Sequence, residues 1–148
     1  MPGTSNSRSE RRARASDGRD HKIVSVLLAV AAVLVLLQAL WAGLFLGAGG
    51  GGSTADGWME VHARGADLTI LIALGATVWA FARLRGHREL WIGAGLLTVL
   101  LILEAYLGGL IRDDGHDTLT AVHVPLAMAM MALVVWLPLR ARSHQHGG

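Results

Sequence analysis

Four long apolar runs, at residues 23–46, 66–84, 90–111 and 119–139, constrain this chain more than any other feature. A helix needs ~20 residues to cross the hydrocarbon of a bilayer, and each run is that long or nearly so. None alternates with period two, as the strands of a membrane barrel would. Lipid offers backbone N–H and C=O groups no partners, so such runs are expected to be helices. Composition agrees: 53% of the 148 residues are hydrophobic, and the mean hydropathy is +0.47. The expected fold is an all-α membrane protein of one domain, a four-transmembrane-helix bundle with spans near 23–46, 62–84, 90–111 and 119–139. A disordered basic tail is expected at 1–22 and a short tail at 140–148.

The chain has no cysteine, which excludes disulfides, thiolate metal sites and cysteine nucleophiles. The first run has 24 residues, longer than the ~7–15 of a signal-peptide core, and is expected to stay attached as a span. Arg8, Arg11, Arg12, Arg14, Arg19 and Lys22 precede it. Arg83, Arg85 and Arg88 lie between spans two and three, and Arg140 and Arg142 follow span four. These three segments share one side of the membrane and hold eleven of the thirteen basic residues. Only Arg64 and Arg112 lie on the other side, among Asp56, Glu60, Asp67, Asp113, Asp114 and Asp117. By the positive-inside rule both termini are expected in the cytoplasm, with the chain in the cytoplasmic (inner) membrane. The sequence pI of about 9.9 then describes the inner surface. Its expected partner is the bilayer's headgroups and not nucleic acid.

The Gly-rich segment 46–57 contains Gly47, Gly49 and Gly52 in a G-x-G-x-x-G spacing. No strand precedes it and no Lys-Ser/Thr pair follows, so it reads as a flexible outer linker. The short turn 83–89 predicts that spans two and three are antiparallel neighbours. Trp41, Trp58, Trp91 and Trp136 fall near expected membrane interfaces.

The chain repeats itself. "LQALWAGL" ends span one and "LEAYLGGL" ends span three, with Leu37/Leu103, Ala39/Ala105, Gly43/Gly109 and Leu44/Leu110 in register at an offset of 66. Gln38 aligns with Glu104. Val61-His62 and Val122-His123 open the following spans at an offset of 61. Two helical hairpins of one design are expected, related by a pseudo-two-fold axis along the membrane normal. That symmetry would set His62 and His123 face to face at one depth.

Spacings of three, four and seven share a helix face. On span two that face carries His62, Gly65, Ala66 and Thr69; on span four it carries His123, Ala127 and Met130. Small residues beside facing imidazoles suggest a slot for a flat cofactor, and a haem iron takes ring nitrogens from opposite sides. The alternatives are a hydrogen-bonded or proton-carrying histidine pair and ordinary interfacial histidines. A zinc site lacks a third and fourth ligand at suitable spacing, and His116 is not placed to reach the slot.

The segments "LQALWAGLFLGAG", "EVHAR" and "LLILEAYLGGLIRDDGHDTLTAVHVPLAMAMMALVVWL" resemble one four-helix half of a haem A synthase. The likeness runs over roughly residues 25–138, and small four-helix bacterial membrane proteins of unknown activity are similar to it too. The resemblance implies haem b, with His62 and His123 as its axial ligands. The acidic residue that precedes the first histidine in that family has its nearest match in Glu60, and the family's late third-helix glutamine is Glu104 here. The outer-loop cysteine pair and the second half are missing, so the chain would have to form a homodimer to imitate a full synthase. A bis-histidine haem leaves no iron position open for oxygen. The expected role is therefore electron transfer or haem handling, with a respiratory or quinone redox partner. A haem-modifying oxidoreductase and a cofactor-free assembly protein are the rival readings.

Glu104 lies ~10 Å inside the outer end of span three, where a carboxylate either works as a proton site or hydrogen-bonds Gln38 or a backbone carbonyl. Arg64 and Arg112 are candidates for pairing with haem propionates, and local pairing with Glu60, Asp67 or Asp113 is the alternative. Met128, Met130 and Met131 read as packing.

Overall fold

The computed structural model describes the backbone of residues 4–146 and the side chains of residue 10 and residues 15–139. Four helices follow one another: α1 Thr4–Gly47, α2 Ser53–Arg83, α3 Arg88–Asp114 and α4 Thr120–His146, the last entered through a 3₁₀ turn at Asp117–Leu119. No strand occurs among the described residues. Each helix contains a stretch long and apolar enough to cross a membrane, so the expected all-α four-helix membrane architecture is the one found.

Every helix packs on its chain neighbour, and α1 closes the ring against α4. α1 therefore lies diagonal to α3, and α2 to α4. One end of the bundle carries the start of α1, the end of α4 and the α2–α3 turn, and the other carries the α1–α2 loop and the entry to α4. Facing outward are Val26, Val30, Val33, Leu71, Val78 and Val99, all more than 40% exposed. In water so large an apolar surface would drive aggregation; against acyl chains it costs nothing.

The core shows why two hairpins of one design pack together. Val24, Leu28, Ala31 and Val35 are buried on α1, and 66 residues on, Leu90, Ala94, Leu97 and Leu101 are buried on α3. Thr69, Ala73 and Ala76 are buried on α2, and 61 residues on, Met130, Val134 and Leu137 are buried on α4. The repeat thus extends to which face each helix turns inward. Volumes differ between the copies: α2 presents small side chains and α4 large ones. Without a hydrophobic drive in lipid, small residues let backbones approach and gain dispersion contact, so α2 packs closely on α1. One polar link also ties α2 to α3, where the Thr77 and Thr98 hydroxyls lie 3.0 Å apart.

Three boundaries differ from expectation; at the far end the tail 140–148 is helical as far as His146, where α4 ends. The tail 1–22 is not wholly disordered, because α1 already runs from Thr4. Residues 15–22 belong to the bundle: His21 is buried, and Asp20 accepts a hydrogen bond from the Trp79 indole at 3.2 Å. Extending an existing helix costs little once nucleation is done, and Arg and Ala are good helix formers. Residues 1–3 lie outside the described ones. The linker 46–57 contracts to residues 48–52, since α2 starts at Ser53. Gly49, Gly50 and Gly52 turn the chain there with φ near +89°, +69° and +88°, a region closed to most side chains. At the other loop Gly115, at φ +67°, ends α3 and lets the His116 N–H reach the Leu110 carbonyl at 3.2 Å.

Candidate functional site

The end of the bundle away from the termini gathers one polar side chain from each helix: Gln38, His62, Glu104 and His123. His62 sits inside α2 and not in its first turn, because the helix begins nine residues earlier. Its ring reaches α1, where Nδ1 donates to the Gln38 carbonyl at 3.1 Å. His123, on α4, reaches α3, where Nδ1 contacts Oε2 of Glu104. The two arrangements correspond under the repeat. Each histidine is held through Nδ1 by position 38 or 104 of the preceding helix, by main chain in one hairpin and by carboxylate in the other. Neither Nε2 makes a hydrogen bond to the protein among the described residues. His62 lies within electrostatic range of both His123 and Glu104, so the four groups form one cluster.

Glu104 is 5% exposed, and its Oε1 bonds nothing in the protein. The Gln38 amide is likewise buried with both atoms unpaired. A bond between the two was one of the alternatives the sequence offered; Glu104 turns to His123 instead. A charge-capable donor is the stronger partner for a buried carboxylate. Three buried polar atoms without protein partners at one level are costly unless something else satisfies them.

The small residues beside His62 do not leave the expected slot. A Cβ on Gly65 would run into the Trp41 ring edge and the Gln38 amide, so that space belongs to side chains of α1. Thr69 is fully buried and donates to the Gly65 carbonyl at 2.7 Å. On the second hairpin Gly108 does make room for a histidine: its Cβ position lies 3.6 Å from Cε1 of His123. The groups left to meet a ligand are the imidazoles of α2 and α4 and the unpaired polar atoms of Gln38 on α1 and Glu104 on α3.

The remaining candidates stand outside this cluster. Arg64 is 77% exposed and pairs with Glu60 at 2.7 Å. Arg112 grips Asp113 through two hydrogen bonds of 2.6 and 2.9 Å. Both guanidiniums thus take nearby carboxylates on their own helices. His116 is exposed on its loop. Met130 is part of the core, and Met128 faces outward at 72% exposure.

Sequence reasoning overlooked the main-chain carbonyl of Gln38 and the filling of Gly65 by Trp41. It also overlooked a second histidine contact at the terminus-bearing end. His21 and His87 meet edge to face there, with ring centroids 4.4 Å apart and planes at 84°. The offset of 66 that aligns Gln38 with Glu104 also aligns His21 with His87, which was the available signal.

Fold and site together define a class: a membrane protein of four helices, built as two hairpins, with a polar four-residue cluster at one end. Comparison with known protein families, with curated proteins and with solved structures finds no match.

Proposed function

We propose that this chain is an integral b-type haem protein, held in the cytoplasmic membrane with both termini inside, that carries electrons or handles haem. One observation carries the reading: two imidazoles on diagonal helices, at repeat-related positions, each have Nδ1 held and Nε2 unbonded. Histidines that ligate metals almost always donate the other ring nitrogen to a carbonyl or carboxylate, and here one of each is present. Such a donor set would suit a haem iron, and His62 and His123 are the residues that would hold it. A haem held there would supply one-electron chemistry.

The protein's own part follows from its geometry. The Gln38 carbonyl fixes the His62 tautomer with the proton on Nδ1. Glu104 contacts Nδ1 of His123, as a carboxylate that orients a ligating imidazole does. The apolar shell of Val35, Leu101 and Met130 lies on the bundle side of the cluster and excludes water there. The asymmetry of basic residues, eleven near the terminus-bearing end against two, supports the orientation.

The Glu104–His123 contact also favours a second reading, a cofactor-free pair that carries a proton across the outer part of the membrane. A visible spectrum of detergent-purified protein separates the two. The haem reading expects a sharp Soret band with α and β bands on reduction, lost in His62→Ala and in His123→Ala. Colourless protein from iron-replete cells would favour the proton pair. Extraction and mass measurement of the haem would expose a modified side chain and so a synthase-like enzyme acting as a homodimer.

A further inference from the structure

We propose that His21, His87 and Asp17 form a binding site for a divalent transition metal of the zinc class at the terminus-bearing end, separate from the His62/His123 cluster. The three residues each offer a ligand atom, and these atoms lie within 4.8 Å of one another. Asp17 and His21 are one helical turn apart, with Nδ1 of His21 3.8 Å from Oδ1 of Asp17. His87 comes from another element, the turn between α2 and α3. A ligand pair at i, i+4 completed by a residue distant in sequence is how a bundle builds a metal site.

Several independent features support a ligand role. His21 is only 3% exposed, so its ring is held inside the bundle end and not in solvent. Its Nδ1 also lies 3.0 Å from the Asp17 carbonyl, the kind of backbone contact that fixes a ligating ring's tautomer. The second ring, His87, is its repeat equivalent, so the pseudo-two-fold brings two imidazoles together at this end as well. Position 83, which corresponds to Asp17, is Arg83. The repeat alone would give two rings, and the aspartate adds an anionic donor on one side only.

The chemistry selects the ion. Two imidazoles and one carboxylate suit zinc and its neighbours, whereas calcium and magnesium prefer oxygen ligands throughout. Tetrahedral bonds of ~2.1 Å set ligand atoms ~3.4 Å apart. The site thus closes by modest side-chain rotation, available to exposed Asp17 and half-buried His87. Three protein ligands leave the fourth position to water. Binding would staple the start of the membrane-crossing part of α1 to the α2–α3 turn, where Asp20 and Trp79 already meet.

The test uses full-length protein purified without a metal-affinity tag, stripped with a chelator and titrated with Zn²⁺ against a chromophoric competitor. One equivalent per chain is expected, and Co²⁺ in its place should show the visible bands of a four-coordinate site. Groups that only orient a ligand are worth about 10–100-fold in metal affinity, and a direct ligand is worth no less. Asp17→Asn and His87→Gln should each weaken binding by at least that factor. Both side chains are accessible, so neither variant depends on refilling a buried position as His21→Ala would. His62→Ala and the tail variant His144→Gln/His146→Gln should bind as the parent does. Unchanged affinity in both Asp17→Asn and His87→Gln would overturn the proposal, as would loss of binding in the tail variant. A haem-free preparation that still binds one Zn²⁺ shows that the two sites are distinct.

Discussion

Replacing Gly65 by alanine adds one methyl group where the structure has no room for it. The Cβ would enter the space of the Trp41 ring edge and the Gln38 amide. Gly75, three turns along the same helix, has nothing within 4 Å of an added Cβ. The two substitutions make the same change inside α2, so their common gain in helix propensity, ~1 kcal/mol in water, cancels when they are compared. What is left is the overpacking at Gly65. The Gln38 side chain can rotate away, but the stiff indole of Trp41 must shift bodily. Adding a methylene to a well-packed site costs ~1–3 kcal/mol. Gly65→Ala should therefore be ~1–3 kcal/mol less stable than Gly75→Ala, a factor of about 5 to 150 in the folding equilibrium. Reversible unfolding in mixed micelles of a mild detergent and dodecyl sulfate, followed by tryptophan fluorescence, measures the difference. Shortening the intruding ring with Trp41→Leu in the Gly65→Ala background should recover part of the loss. Equal stability of the two alanine variants would refute the close α1–α2 packing on which the position of His62 rests.

Other expectations follow from single contacts. Glu104→Leu leaves Nδ1 of His123 buried without its acceptor, and should weaken haem affinity about 10–100-fold while the fold persists. Haem titration of the apoprotein measures this, and parent-like affinity would remove Glu104 from the site. The Thr77–Thr98 hydroxyl pair should show a coupling of ~0.6 kcal/mol in a double-mutant cycle with valine, the usual size for such bonds in a membrane. A coupling of zero would mean that each hydroxyl is content with its own helix carbonyl, Ala73 at 2.9 Å and Ala94 at 2.9 Å.

How much of this was legible beforehand depends on the kind of interaction. The spans could be read off directly, because lipid rejects unpaired backbone groups and so fixes both helix and length. The hairpin repeat was visible in residue identities near the outer ends of the helices; that Val24 and Leu90, or Ala73 and Val134, share a burial pattern emerged only from the packing. The local ion pairs of Arg64 and Arg112 were among the possibilities that neighbouring carboxylates offered. The loop at 48–52 was overestimated, since Ser53 to Gly57 read as a continuation of the glycine run but enter the helix.

The sequence by itself determined four spans, their pairing into two like hairpins and the polar residues that gather at the end of the bundle away from the termini. Only the tertiary structure decided which atoms meet. His62 bonds a main-chain carbonyl, Glu104 chooses His123 over Gln38, and Trp41 fills the space beside Gly65. The physical reason is one of range. Span length and inward face follow from solvent preference summed over many residues, which any window of sequence records. Partner choice follows from ångström-scale differences in helix approach and ring rotation, which depend on all four helices together.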